Sequence, residues 1–405
     1  MNDIYFFNPT CDFAIANGSP NWQPNQLLQK MEEDLDLLPA YLAASDDGIL
    51  LYNYPSDLFL EDFRKTEFKF PCFIQRNKQN QISQNRIRNI KPWGWSPAAH
   101  KQTEYLKNLC SDEFSISPVF NWNPEIKHFY SRSFSASVLA EVLKNLNTEN
   151  ILPINYQPKV CKTETDVENA LASWGKLMLK APWSSSGRGL QPITKTSIHE
   201  KVWEKINGII RDQGFVLAEP LLNKVHDLAF LFELKKGIIR FTGTSHFFTD
   251  KNGKYEGNYL NGASKPDFDK VINFTNRKQA QILPELIRVL QNSKLPAVYE
   301  GPFGVDMLIY SDNNDELFIN PCLEINLRYT MGFIALNIEK MLAEKSKGVF
   351  RIFYEPGKSF FSFSNEMRTK HPLIITESKI LSGFLALTEP TPEKKFGAYL
   401  LAEPM

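Results

Sequence analysis

The 405 residues carry no surplus of charge of either sign, because 46 Lys plus Arg stand against 46 Asp plus Glu. That balance excludes the global basic field by which proteins gather on nucleic acid or anionic membranes. Long apolar runs are missing too: nowhere do 18 apolar residues follow one another, so no transmembrane helix is expected. The opening stretch MNDIYFFNPTCDFAIANG contains Asp3 and Asp12 and lacks the basic start and apolar run of a secretory signal. Cysteine is scarce. Cys11, Cys72, Cys110, Cys161 and Cys322 stand far apart, odd in number and without a CxxC pair. A chain of this length buries a core without staples, so the reading is a reduced, cytoplasmic protein without structural zinc. Neither HExxH, GxxxxGK[S/T] nor GxGxxG occurs, and there is no internal repeat or low-complexity tract.

What remains is an ordinary globular composition, 42% hydrophobic, sized for about two to three domains. Aromatic residues are the unusual share at 13%. The first third is rich in Asn, Gln, Pro and Trp, and its polar tract from Gln75 to Asn89 reads as a surface loop or polar helix. Trp93 and Trp95 follow in KPWGWSPAAHKQ, on a segment broken by Pro92, Gly94 and Pro97; packing is favoured over ligand contact for both rings.

From about Tyr130 the periodicity is cleaner. SASVLAEVLKNLN spaces Val138, Leu139, Val142 and Leu146 along one helical face. Thr165 with Glu168 reads as a capping box for a helix ended by Gly175. KLMLK is a strand, Ser197 with Glu200 predicts a helix stopping at Gly208, and two strands turned at Lys235-Lys236-Gly237 fill Gly214 to His246. A long helix around 276–293, a hairpin from Pro302 to Leu327 and a helix from about 331 complete the middle. FRIFY, SFFSF and GAYLLAE read as strands that cover the core or the surface of a homodimer.

Three constellations carry chemistry. Lys180 ends a strand and opens the loop APWSSSGRG, whose serines and glycines suit the wrapping of backbone N–H groups around phosphates; a mobile turn is the plain alternative. GFVLAEPLL ends in Glu219, a carboxylate beside exposed backbone that suits the edge of an adenine ring, although most strand-end acids are simply solvated. The third is the strongest. Asp306 lies in GVDMLIY, and eighteen positions later Glu324, Asn326 and Arg328 fall in LEINLR. Strand alternation puts these last three on one face about 6.6 Å apart, with Leu323, Ile325 and Leu327 on the other. Two carboxylates and an amide oxygen are hard ligands suited to magnesium, and Arg328 adds a permanent cation. A plain five-residue turn at 311–315 would set Asn320 opposite Asp306, so Glu324 reaches it only through a larger loop or a bulge near Pro321.

The order strand-Lys180-SSSGRG loop, strand-Glu219, Asp306, Glu324-x-Asn326-x-Arg328 resembles the ATP-grasp superfamily over about residues 130–345. The resemblance implies an α/β fold of the α+β ATP-grasp kind. An N-terminal α/β pre-ATP-grasp domain over 1–125 would precede a small subdomain with its linking helix over 126–213, a large subdomain over 214–347 and a β-rich extension over 348–405. It also implies that Lys180 contacts phosphates under a cover of Ser185, Ser186, Gly187 and Gly189. Glu219 would stand near adenine with Ala218 and Leu221 beside it, and Asp227 near ribose. Asp306, Glu324 and Asn326 would hold two magnesium ions, with Arg328 as the catalytic cation. Gly304 and Val305 stand where some members carry an arginine, so Arg240 is expected to share that duty.

The implied activity is a Mg-ATP-dependent ligase that activates a carboxylate as an acylphosphate for attack by an amine or thiol. Its partners are then ATP and small-molecule or peptide substrates, without nucleic acid or membrane. A non-catalytic ATP-binding module and an ATP-grasp phosphotransferase with His246 as phosphate carrier are the alternatives. His246, Tyr255 and Asn258 lie in the segment that approaches substrate in this superfamily. Arg132 reads as a surface cation with a route to the phosphates, and His226 as a solvated histidine. The first 125 residues match no member, and the substrate choice is expected to reside there.

Overall fold

The computed structural model describes residues 2–76, 87–184, 189–195, 197–250, 253–263 and 267–405. The described strands form three sheets. The first is parallel, in the order β3-β2-β1-β4, from β1 (Asn2–Phe6), β2 (Gly48–Leu51), β3 (Cys72–Gln75) and β4 (Ile87–Pro92). The second is small and antiparallel, in the order β5-β8-β6-β7, from β5 (Lys159–Cys161), β6 (Leu177–Lys180), β7 (Leu190–Ile193) and β8 (Val216–Pro220).

The third sheet has nine strands. They are β9 (Asn223–Lys235), β10 (Ile238–Thr249), β11 (Tyr255–Leu260), β12 (Gly301–Ser311), β13 (Leu317–Asn326), β14 (Ser346–Tyr354), β15 (Ile374–Thr376), β16 (Lys379–Ala386) and β17 (Phe396–Pro404). Their order is β13-β12-β9-β10-β11-β14-β17-β16-β15. β8 lies beyond residue 213 yet pairs with β5 and β6, so the small sheet runs past the expected boundary. The C-terminal strands continue the large sheet through β14, which pairs with β11.

β9 shows why the large sheet forms. Leu228, Phe230, Phe232 and Leu234 enter one core, while Ala229 and Leu231 enter another. Alternate side chains therefore fill opposite faces, and a strand covered on both faces reads as a continuous apolar run. Val138, Leu139 and Val142 of the helix Arg132–Asn145 and Ile282 and Leu286 of the helix Phe268–Asn292 belong to the first core. Phe333, Ile334 and Ile338 of the helix Met331–Glu339 belong to the second, which also takes Tyr5, Phe7 and Trp93 of the N-terminal part. The small sheet keeps its own core of Val167, Ala170, Leu177, Leu179, Ile206 and Val216.

Several local expectations shift. The capping box is Thr163 with Asp166, and it opens the helix Glu164–Trp174, which closes at Gly175 with φ +74°. The next helix, Glu200–Gln213, is capped by His199 and runs through Gly208 to Gly214, because an interior glycine weakens a helix without ending it. The long helix begins at Phe268, earlier than its pattern suggested. SFFSF is not a strand: the Ser359 side chain accepts a hydrogen bond from the Ser362 N–H and starts the helix Phe360–Lys370.

Three strands, β8, β9 and β10, fill the span expected to hold two. The turn between β9 and β10 is as expected, with Lys236 and Gly237 both at positive φ, the geometry of a two-residue type I′ hairpin. Most of the tract from Gln75 to Asn89 lies outside the described residues. Trp93 and Trp95 are buried, Trp93 edge-on to Phe7 and Trp95 stacked on His100. No helix among the described residues is long and apolar enough to cross a membrane.

Candidate active site

The candidate metal row forms where β12 and β13 pair. Ser311 opposes Leu317 and Leu308 opposes Asn320, but Asp306 opposes Glu324. Two extra residues of β13 are thus taken up around Pro321, so of the larger loop and the bulge that the spacing allowed, the bulge is found, after a five-residue connection over 312–316. A shift of two preserves facing parity, so the carboxylates stay on one side of the sheet. β9 runs beside them, with Ala229 opposite Asp306 and Asp227 opposite Leu308. Asp227 therefore shares the face of Asp306.

A chain of hydrogen bonds ties the row together. Asn326 Nδ2 donates to Asp306 Oδ2 at 3.0 Å, and an Arg328 guanidinium nitrogen donates to Asn326 Oδ1 at 3.0 Å. Arg328 Nε donates to Asp12 Oδ2 at 2.9 Å. Burial first, and the neighbouring Glu324 carboxylate second, push the Asp306 carboxyl up to about 7. Arg328 and Asn326 pull in the other direction without balancing the burial. Two carboxylates so placed favour a cation between them.

The second half of the site belongs to the small sheet. Lys180 ends β6 and Glu219 lies on the adjacent β8, where Lys180 opposes Leu217 and Met178 opposes Glu219. The two side chains meet diagonally on one face, Nζ to Oε2 at 2.6 Å, both more than nine-tenths buried. Ala218 is buried in β8, and the Leu221 N–H just beyond it donates to the Lys176 carbonyl. At the base of the loop, the Ala181 N–H donates to the Gly189 carbonyl at 2.9 Å. A Cβ on Gly189 would stand 2.1 Å from Ser184 Oγ, so only glycine closes the loop this tightly. Ser185, Ser186 and Gly187 lie outside the described residues.

Arg132 joins the halves. It is 5% exposed, not a surface cation. Its guanidinium donates to the Ala181 carbonyl at 2.7 Å, to Ser184 Oγ at 2.6 Å and to Glu324 at 2.8 Å. The N-terminal part completes the site from below. Asp12 lies in the short helix Cys11–Asn17 that follows β1, and Gly94 follows β4, so both stand beyond the carboxyl ends of parallel strands. The Asn8 amide brackets Gly94, donating to its carbonyl at 2.8 Å. A Cβ on Gly94 would meet Cys11 Sγ at 2.4 Å and Arg328 Cβ at 3.0 Å. Glycine there is what lets the two parts close on Arg328.

Other expected residues are placed elsewhere. Arg240 is exposed and stands opposite Glu233, well along β10 from the row. His246 opposes Leu228, one step out of phase with Ala229, so it faces the other side of the sheet from Asp306. There its ring nitrogen lies 3.0 Å from that of His226, which is 4% exposed rather than solvated. Burial pushes His246 down to about 4. Asn258 is buried and donates to Ser245 Oγ at 2.6 Å while the Tyr255 hydroxyl donates to it, so both brace the β10–β11 hairpin. Asp227 pairs with Lys224 at 2.8 Å.

Among the described residues, no three His, Cys, Asp or Glu side chains are grouped to hold a metal. The candidate donors are therefore Asp306 and Glu324 with the Asn326 amide. Magnesium accepts so few protein ligands, because water and phosphate oxygens fill the rest of its shell.

No family model matches the chain. Among curated proteins it is 23% identical over 312 residues to a [butirosin acyl-carrier protein]--L-glutamate ligase from Niallia circulans. The match covers 76% of this chain and 66% of that relative, just under two thirds of its length. Among solved structures it resembles biotin carboxylase from Campylobacter jejuni in complex with β,γ-ATP. The TM-score is 0.52 at 13% identity, over 99% of this chain and 87% of that one. It also resembles the biotin carboxylase domain of the Hydrogenobacter thermophilus 2-oxoglutarate carboxylase, in complex with MgADP, ADP and bicarbonate. That TM-score is 0.50 at 10% identity, over 100% and 86% of the two chains.

Proposed function

From the ATP-grasp fold that the chain shares with these carboxylases, we propose a magnesium- and ATP-dependent ligase that activates a carboxylate as an acylphosphate for attack by an amine or thiol. The observation that carries the reading is the convergence of Lys180 and Glu219 from one sheet with Asp306, Glu324, Asn326 and Arg328 from another, joined through Arg132. Simple core packing does not call for six charged side chains buried or half-buried around one junction.

In this reading Glu219 meets the adenine amine, with the backbone around Ala218 and Leu221 beside the base, and Lys180 turns to the phosphates under the loop ending at Gly189. Asp227 stands by the ribose. Asp306, Glu324 and Asn326 would hold magnesium, which when bound would supply positive charge against the negative charge of the phosphates. A substrate carboxylate oxygen attacks the γ-phosphorus, and the bond to ADP breaks. The amine or thiol then attacks the acyl carbon, and inorganic phosphate leaves. Arg328, held from two sides by Asp12 and Asn326, presents a fixed cation to the acylphosphate and to the oxyanion formed from it. No protein nucleophile is required. The relative's name couples L-glutamate to an acyl-carrier protein, so L-glutamate heads the acids to be tried. The free cysteines support a cytoplasmic setting.

The experiment is ADP release from Mg-ATP over a panel of acids, with hydroxylamine as acceptor and hydroxamate as product. Acid-dependent ADP release with matching hydroxamate is expected. Tight ATP binding without turnover across the panel would instead identify a binding module.

A further inference from the structure

A pocket lies against the metal row and is walled by four separate segments. Asp12 comes from the first helix, Tyr130 ends the segment Pro124–Tyr130, Trp183 and Ser184 follow β6, and Glu324 and Asn326 belong to β13. Three features of its wall ask for the same kind of ligand. The Tyr130 hydroxyl is buried and makes no hydrogen bond among the described residues, although a buried hydroxyl ordinarily has a partner. The Asp12 carboxylate takes one guanidinium N–H from Arg328. Burial still outweighs that guanidinium and pushes the Asp12 carboxyl above its ordinary value, so its negative charge is under-compensated. The Trp183 ring already lies 4.7 Å from the ammonium of Lys127, and its faces attract positive charge.

We propose that this pocket binds a primary ammonium group of a substrate, with Asp12 as its counter-ion and the Tyr130 hydroxyl oxygen accepting one of its N–H bonds. The proposal rests on the ligase reading and adds the chemical class of a substrate to it. Glu324 and Asn326 belong to the same wall, so the amine stands beside two of the groups assigned to magnesium. Two sources share this chemistry: the amine acceptor, or the amino group of an amino-acid donor. Glu324 is paired with Arg132 at 2.8 Å and Asp12 with Arg328 at 2.9 Å, so an ammonium at Asp12 would share its carboxylate with Arg328.

The test uses the full chain with magnesium and ATP. In the donor arm, L-glutamate and the other amino acids are compared with their desamino acids, glutarate for glutamate, using hydroxylamine as acceptor. In the acceptor arm, ethylamine and the amino acids are compared with mercaptoethanol as nucleophiles toward the same acids. The expected result is that an ammonium-bearing compound exceeds its counterpart at least 100-fold in kcat/KM in one arm. Tyr130→Phe should raise its KM about tenfold and leave the KM for ATP within twofold. Equal use of the desamino acids together with a thiol acceptor, or an unchanged amine KM in Tyr130→Phe, would overturn the proposal.

If no acid releases ADP, the ligase reading fails separately, and binding still decides this one. Trp183 fluorescence, taken as the difference between wild type and Trp183→Phe, is then titrated with the amino acids. A saturable change that weakens at least tenfold in Asp12→Asn upholds the ammonium site, and its absence refutes it.

Discussion

On the small sheet, Lys180 and Glu219 neutralise one another inside a unit with its own hydrophobic core. On the large sheet, each member of the row is tied to a neighbour: Glu324 to Arg132, Asn326 to Asp306, and Arg328 to Asn326 and Asp12. The helices and strands around that row share cores with the N-terminal part. The difference separates two tasks. Under the proposed reading the row would meet the reacting phosphate and the small-sheet pair the nucleotide, with Arg132 bonded to both halves. Substitutions in the first half should then lower kcat, and those in the second should raise the KM for ATP.

The largest effect is expected at Glu324. Glu324→Ala removes a proposed metal donor and leaves the Arg132 guanidinium short of its carboxylate. Turnover should fall at least about 1,000-fold while ATP still binds through Lys180 and Glu219. Isothermal titration with an ATP analogue beside a kcat measurement reads both. A variant that keeps wild-type turnover removes the row from the site.

Lys180→Met should act in the opposite way. It leaves Glu219 buried without its partner, which costs about 3 to 5 kcal/mol when one member of a buried pair is lost. The double variant Lys180→Met with Glu219→Leu should recover most of that stability, because apolar replacement of a buried pair is often neutral. ATP binding should stay lost in both. Recovery of stability without ATP would show that the pair is kept for the nucleotide; failure to recover would make it a structural strut.

How much of this was legible in the chain follows from the range of the interactions. The row from Glu324 to Arg328 was readable because strand alternation is local, and counting residues across one hairpin narrowed the register to a larger loop or the bulge near Pro321 that is found. Lys180 and Glu219 were readable as strand ends, but nothing in the sequence says that they touch. Asp12 was missed because its partner lies 316 positions away. Arg132 was misjudged because its burial depends on a loop and a strand that are distant in sequence. His246 was misassigned for the converse reason: its strand and level were right, but one residue of phase sends its ring to the far face.

Gly94→Ala tests whether the N-terminal part positions Arg328. The added methyl group would meet Cys11 Sγ and Arg328 Cβ, so the contact must open. Overpacking of this kind costs about 1 to 3 kcal/mol. If the comparison holds, kcat falls while the KM for ATP stays within about twofold, since the small sheet is untouched. A matched rise in the KM for ATP would show instead that the two halves move as one body.

The smallest effect is a pH dependence that should touch only one half. Burial holds His246 down to about 4, against an ordinary value of 6.5. The folded state therefore binds its proton less readily than the unfolded chain. The stability it contributes is complete above about 6.5 and is lost as pH falls from 6.5 toward 4. At pH 5 the loss is about 1 to 2 kcal/mol. The small-sheet unit carries one histidine, His199, and that side chain is exposed. Hydrogen exchange at pH 5 should thus show protection falling in β9 and β10 while β6 and β8 keep theirs, and His246→Gln should reduce the difference. Equal loss in both sheets would mean that they unfold as a single cooperative unit, and the separate core of the small sheet would then carry no independence.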